Sequence, residues 1–162
     1  MVDAALTIRA ATADDAGLIM RLIHELAVYE KAASSVQTDE AAIRESLFGP
    51  EAKAQALICE RGGVPIGYAV FFYNYSTWLG RNGIYLEDLY ITPDQRGAGA
   101  GKALLQHIAR LAVAQGCGRF EWSVLDWNTP AIEFYKAAGA VAQDEWTVYR
   151  LEGQALAQFA AA

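Results

Sequence analysis

Cysteine is scarce in this chain of 162 residues: Cys59 and Cys117 stand alone, with no C-x-x-C spacing. That excludes a thiolate metal cage and a disulfide framework, and it leaves two reduced thiols as the expectation. Histidine is as rare. His24 and His107 lie far apart in stretches of helical pattern, so no metal site is expected. Positive charge is in deficit, with 13 Lys plus Arg against 19 Asp plus Glu and a net charge of −6. Phosphate backbones are bound by basic faces, so no nucleic-acid partner is expected. The acidic balance suits a cationic small molecule, but it is better explained as that of an ordinary protein kept in solution by its charge. Nowhere do about 18 apolar residues follow one another, and no basic segment followed by an apolar run opens the sequence. We therefore expect no membrane partner and a cytoplasmic location.

What is present is a large apolar fraction, 54%, in a chain long enough for one domain with a sizeable core. No internal repeat and no linker composition interrupts it, so residues 1–162 are expected to form a single domain. A short strand covers about Leu6–Ala10, and Thr12 with Asp15 has the form of a capping box. Leu18, Ile19, Leu22, Ile23 and Leu26 recur at helical spacing, predicting a helix to about Tyr29. A weaker helix is expected over Asp39–Phe48, stopped by Gly49-Pro50. Strands follow at Ala54–Glu60, Ile66–Tyr75 and Ile84–Ile91, the first two joined by a turn at Arg61-Gly-Gly63. Leu104, Leu105, Ile108, Leu111 and Ala112 form the stripe of a helix ending at Gly116. A strand at Phe120–Leu125, a helix from Pro130 to about Ala138, a hairpin over Val141–Leu151 and a short helix in the tail from Glu152 complete the chain. This is an α+β layout, in which the crossover through the glycine-led helix sets the strands Ile84–Ile91 and Phe120–Leu125 side by side and parallel. Ligands of such sheets bind beyond the C-terminal ends of the strands.

Gly83–Lys102 is the stretch on which the chemistry centres. An apolar strand carries Glu87 and Asp88, a Pro93-Asp94 turn follows, and Arg96-Gly-Ala-Gly-Ala-Gly-Lys102 opens directly into a helix. Glycines let the backbone curl without a Cβ in the way, so several N–H groups converge with the helix dipole on one anion, and Lys102 adds charge. A glycine-rich string is also an ordinary loop-to-helix turn. It is not a P-loop, because Ala103 follows Lys102, and it lacks the spacing of the dinucleotide fingerprint. By strand alternation Glu87 and Asp88 face opposite sides of the sheet, so one points at a reaction site. A sheet-edge ion pair would explain the same two residues. Asn128 and Tyr135 lie just past the next parallel strand, where topology carries them toward the glycine loop. From spacing alone a tyrosine at that point of a helix is better explained by core packing than by catalysis.

Gln95-Arg96-Gly-Ala-Gly99-Ala-Gly101 resembles the signature of the GNAT superfamily of acetyl-CoA-dependent N-acetyltransferases. Tyr85-Leu-Glu-Asp-Leu-Tyr90, Val124-Leu-Asp-Trp-Asn128 and the Phe134-Tyr-Lys block ending at Gly139-Ala140 are similar to its diamine (spermidine/spermine) branch, which includes thialysine acetyltransferases. Glu25-Leu-Ala-Val-Tyr-Glu30 and Glu145-Trp146 extend the likeness over nearly the whole chain. The resemblance implies a GNAT fold: a mixed, mostly antiparallel sheet flanked by helices, with one parallel strand pair after the acetyl-CoA loop.

It also implies roles. Arg96, Gly97, Ala98, Gly99, Ala100, Gly101 and Lys102 would hold the diphosphate of acetyl-CoA. Leu89, Tyr90, Ile91, Asn128 and Ala131 would contact its pantetheine arm. Glu87 would be the general base, and Tyr135 would lie against the cofactor and protonate the departing thiolate. Tyr29, Glu30, Trp78, Glu87, Asp88 and Trp146 would line the amine site, the last reaching across a homodimer. The substrate implied is a small cationic amine. Acetylation of a protein lysine or N-terminus, and a non-catalytic acyl-CoA-binding role, are the alternatives. The stretch Asn74–Asn82 departs from the polyamine enzymes in holding Ser76 and Thr77 where an acidic residue precedes the Trp.

Overall fold

The computed structural model describes residues 5–161. The chain divides after Ser123 into two units, taken here in turn.

In the first unit Arg9 ties the opening elements together. From strand β1 (Leu6–Ala10) its Nε donates to Glu60 at 2.8 Å, and its two terminal nitrogens donate to Asp15 at 2.8 and 2.9 Å. The guanidinium beside it holds the Asp15 carboxyl below the usual carboxylate range. Asp15 also accepts from Thr12 N at 2.8 Å, closing the expected capping box ahead of helix α1 (Ala16–Tyr29). Helix α2 (Glu40–Phe48) starts from Asp39, whose side chain accepts from Ala42 N.

Strand β2 (Ala54–Arg61) turns into β3 (Val64–Ser76) through Gly62 and Gly63, at φ +58° and +79°. Both central residues of a two-residue hairpin of this hand need positive φ, which glycine adopts without strain. β3 continues through a turn at residues 77–80 into β4 (Arg81–Ile91). Helix α3 (Ala100–Ala114) then crosses to β5 (Phe120–Trp122), which pairs with β4 in parallel, from Ile84↔Phe120 to Leu86↔Trp122. The five strands lie in the order β1-β2-β3-β4-β5, antiparallel except for that last pair. Gly116, at φ +68°, closes α3, with Cys117 N donating to Ala112 O and Gly116 N to Val113 O. These are the two bonds of a Schellman stop.

Alternation along the strands gives the sheet two apolar faces. Ala56, Ile58, Tyr68, Val70 and Tyr90 pack with Ile19 and Leu22 of α1. The intervening residues, including Leu57, Cys59, Ala69 and Phe71, form the opposite face, where α3 buries Leu104, Leu105 and Ile108. Burying a side chain such as Leu22 stabilises by about 1.5–3 kcal/mol.

One irregularity decides what the sheet presents. Val70 sits opposite Asp88, and Phe71 opposite Leu86. Glu87 is the extra residue of a β-bulge. Simple alternation would set Tyr85 and Asp88 on opposite faces. Instead Tyr85 stacks on Phe72, ring centroids 5.3 Å apart, while Asp88 meets Tyr68, and both contacts are on the α1 side. Glu87 is thereby left without a partner in the ladder, while Asp88 keeps its place opposite Val70.

In the second unit Asn128 caps helix α4 (Thr129–Ala137) and Gly139, at φ +90°, ends it. Helix α5 is Gly153–Ala160. The strand expected to Leu125 stops at Trp122. The hairpin expected over Val141–Leu151 does not form, and Val141, Val148 and Tyr149 are exposed. A two-stranded hairpin on its own is marginal in water, whatever its β propensity.

Candidate functional site

The glycine loop is built as an open cradle of amides. Gly97 and Gly99 sit at φ +82° and +81°, and a Cβ on either would meet nothing within 4 Å. Glycine is thus required for its dihedral freedom and not for space. Gly99 is the N-cap of α3, and the first helical bond is Ala103 N to Gly99 O at 2.9 Å. The amides of Ala100, Gly101 and Lys102 therefore belong to the first turn, which has no partner inside its own helix. They lie at the positive end of a 15-residue helix.

Arg96 anchors the loop from below. Its Nε donates to Ile91 O at 2.8 Å, and its guanidinium lies 4.9 Å from the Tyr29 ring centroid and 5.3 Å from that of Tyr90. The end of β4, the end of α1 and the start of the loop are fixed to one another by this one side chain. Leu89, Tyr90 and Ile91 lie past Leu86, where the β4–β5 pairing stops.

On the α1 face beside this strut is a carboxylate group. The buried Tyr68 hydroxyl donates to Asp88 Oδ2 at 2.6 Å. Burial pushes the Asp88 carboxyl up, and the Tyr68 hydrogen bond pulls against it. Glu30, half-buried just after α1, is pushed up first by burial and then by the charge of Asp88. The Tyr68 phenol is driven far up by burial and by Asp88, so it stays a neutral donor. Tyr90 is raised as well, by burial and then Glu25. Glu87 is exposed at the bulge, and Trp78, 85% exposed, lies in the β3–β4 turn. Tyr85 Oη and Ser123 Oγ, 2.6 Å apart, add a hydroxyl pair.

The first unit thus brings together Tyr29, Glu30, Asp88, Tyr90, Ile91 and Arg96. Asn128, Ala131, Tyr135 and Trp146 belong to the second unit. There Asn128 is buried, its side chain accepting from Ala131 N at 3.4 Å, and Tyr135 is half-buried with its ring tilted on Phe134, centroids 5.4 Å apart. Trp146 is 66% exposed.

A family model described as "Acetyltransferase (GNAT) family" matches residues 20–140. The chain belongs to the GNAT acetyltransferase family. Among its relatives this acetyltransferase is 39% identical to a thialysine N-epsilon-acetyltransferase of Sus scrofa, over 97% of this chain and 98% of that one. It is 39% identical to the Caenorhabditis elegans enzyme of the same name, over 92% and 93%. An L-ornithine N5-acetyltransferase of Arabidopsis thaliana is 30% identical over 92% and 85%. Among solved structures, an integron cassette protein of V. cholerae superposes with a TM-score of 0.81 at 23% identity, covering 97% of this chain and 98% of that one, and shows the fold alone.

The protein is an N-acetyltransferase with acetyl-CoA as its co-substrate. The residues present fit that molecule. The two open positive-φ glycines leave room for a diphosphate against the first-turn amides of α3. No helix among the described residues is long and apolar enough to cross a membrane. Two features of the site escaped sequence reasoning. Tyr68 reads as one more residue of an apolar run, and nothing in the sequence marks its hydroxyl as the partner of Asp88 on the neighbouring strand. Arg96 reads as part of an anion loop, and its side chain is in addition a strut to Ile91, Tyr29 and Tyr90.

Proposed function

We propose that this enzyme acetylates a primary amine of a small cationic substrate, thialysine-like or a diamine or polyamine. The observation that carries this reading is the Glu30–Asp88 pair. Two carboxylates are held on one face of the sheet, each made harder to ionise by burial, and one further by the other's charge. An ammonium group entering between them relieves both penalties, whereas a neutral ligand relieves neither. The names of the relatives support the same class.

The chemistry follows from the amine. An alkylammonium of pKa about 10.4 must lose a proton before its nitrogen can attack, at a cost of roughly 4–5 kcal/mol at pH 7. In our reading Glu87, on the exposed bulge, takes that proton, through a water. The diphosphate rests on the amides from Gly97 to Lys102. The backbone of Leu89, Tyr90 and Ile91 and the residues Asn128 and Ala131 hold the pantetheine arm, and a backbone N–H beyond Asp88 faces the charge that grows on the acetyl oxygen. Tyr135 donates a proton to the leaving sulfur, which needs only a weak acid because a thiol has pKa about 8.5. Tyr29, Trp78 and Trp146 complete the amine site. The family match runs unbroken across Ser123, which supports a single catalytic domain.

We also propose a homodimer, supported by the exposed Trp146, Val148 and Tyr149, with light scattering as its test. Both cysteines are free thiols, in keeping with the cytoplasm. A thiol-release assay with acetyl-CoA tests the substrate class, with thialysine, lysine, ornithine, diamines, spermidine and a basic peptide as acceptors. Turnover on at least one small amine in preference to the peptide is expected. Preference for the peptide would move the substrate to protein lysines or N-termini. Acetyl-CoA binding without turnover on any acceptor would leave a binding protein.

A further inference from the structure

We propose that Tyr68 is a positioning residue, whose hydroxyl fixes the Asp88 carboxylate in the orientation that receives the substrate ammonium. This rests on the reading of Asp88 as part of the amine site. Three observations carry it. Tyr68 is fully buried in the cluster of Ile19, Leu22, Ile58 and Val70, so its ring cannot swing away. Its hydroxyl meets Asp88 Oδ2 at 2.6 Å, a length typical of a hydroxyl donating to a charged oxygen. Asp88 shares the α1 face with Tyr90, two residues on, and lies diagonal to Tyr68 across the β3–β4 pair, where Tyr68 opposes Tyr90 and Val70 opposes Asp88.

The hydroxyl is useful there because the neighbourhood disfavours charge. The groups facing Asp88 are Tyr68 from β3 and Glu30 from the end of α1. Tyr90, Glu25 and Arg96 lie further along the same face, and β2 contributes Ile58 opposite Tyr68. Glu30 is itself pushed up by burial and by the charge of Asp88, and Arg96 is occupied between two rings. The Tyr68 hydroxyl is the group that stabilises the ionised acid directly. A phenylalanine ring would fill the same core volume and leave Asp88 without that donor, so ammonium binding would demand a higher pH.

The test is Tyr68→Phe, read in three ways against the best amine of the panel. The first is the Asp88 carboxyl titration by carbon NMR, assigned with Asp88→Asn. The second is kcat/KM for the amine from pH 4 to 9. The third is KM for acetyl-CoA. The midpoint of Asp88 and the acid limb of the amine profile should both move up by about one pH unit, a roughly tenfold loss on the acid side carried by amine KM. Saturated kcat at alkaline pH and acetyl-CoA KM should hold. In an Asp88→Asn background the same change should add nothing. Replacing Tyr68 by 3-fluorotyrosine keeps the ring and strengthens the donor. It should move the limb down, and it serves if the Phe variant fails to fold. An Asp88 midpoint that stays in place in these variants would reduce Tyr68 to core packing and overturn the inference. A midpoint that moves while the amine profile does not would instead overturn the placement of Asp88 in the amine site, and the inference with it.

Discussion

Replacing Gly99 by alanine isolates the glycine loop from the fold that carries it. Gly99 lies at φ +81°, and a new Cβ there meets nothing within 4 Å, so the strain is purely dihedral. A left-handed alanine costs about 1–2 kcal/mol. The unfolded chain, also restricted by the new methyl, returns about 0.4–1 kcal/mol. The net loss is about 1 kcal/mol, or a fall of about 2–4 °C in Tm for a chain of this size. Gly116, at the other end of the same helix, has φ +68° and the same open surroundings. Gly116→Ala is therefore a matched control, with equal strain and an equal loss of Tm.

The two variants part company on cofactor. Strain at Gly99 is relieved by rotating the peptide planes that carry the amides of the α3 first turn. Displacing one charge-assisted bond to a diphosphate costs about 1.5–3 kcal/mol. Since about 1.4 kcal/mol is a tenfold change, Kd for CoA should rise roughly 10- to 100-fold in Gly99→Ala and stay unchanged in Gly116→Ala. Calorimetric titration with CoA beside thermal melts reads both quantities. Equal Tm losses with equal Kd values would refute the reasoning that this loop seats the diphosphate.

Three other perturbations probe the remaining parts. Tyr135→Phe should lower kcat by roughly 10²-fold or more with both substrates saturating, the usual loss for a general acid, and a near-normal rate would return Tyr135 to packing. Glu87→Gln should displace the pH–rate profile to the alkaline side, since the amine must then lose its proton to bulk solvent; an unmoved profile points to another acceptor. Asp88→Asn should raise Tm at pH 7, because a carboxyl pushed up by burial is less stable charged in the fold than in the unfolded chain. Folded protein binds the extra proton between the folded midpoint and the ordinary carboxylate value of about 3.9, so wild-type stability rises as pH falls through that window. The advantage of the Asn variant should vanish below it. Melts from pH 3 to 8 check the sign, and a variant less stable at every pH contradicts it.

Much of the fold was legible because its signals are local. The Thr12–Asp15 box, the Asp39 cap, the Gly62-Gly63 turn, and the Gly116 and Gly139 stops all depend on residues within a few positions of one another. The parallel β4–β5 pair followed from chain handedness. The failures are equally physical. Val141–Leu151 has strand-like residues, but strand formation needs a covered face, which lies outside the segment. The bulge at Glu87 was invisible because nothing in Leu-Glu-Asp-Leu marks an extra residue until β3 supplies the register.

The sequence by itself determined the amide curl. Arg96-Gly-Ala-Gly-Ala-Gly-Lys102 can hardly lead into a helix without gathering N–H groups at its start, because positive φ and the absence of Cβ are properties of glycine in isolation. Only the tertiary structure decided which residues of β4 share the α1 face of the sheet. That choice depends on a one-residue offset between two strands, which brings Tyr85 to the side where Asp88 meets the hydroxyl of Tyr68.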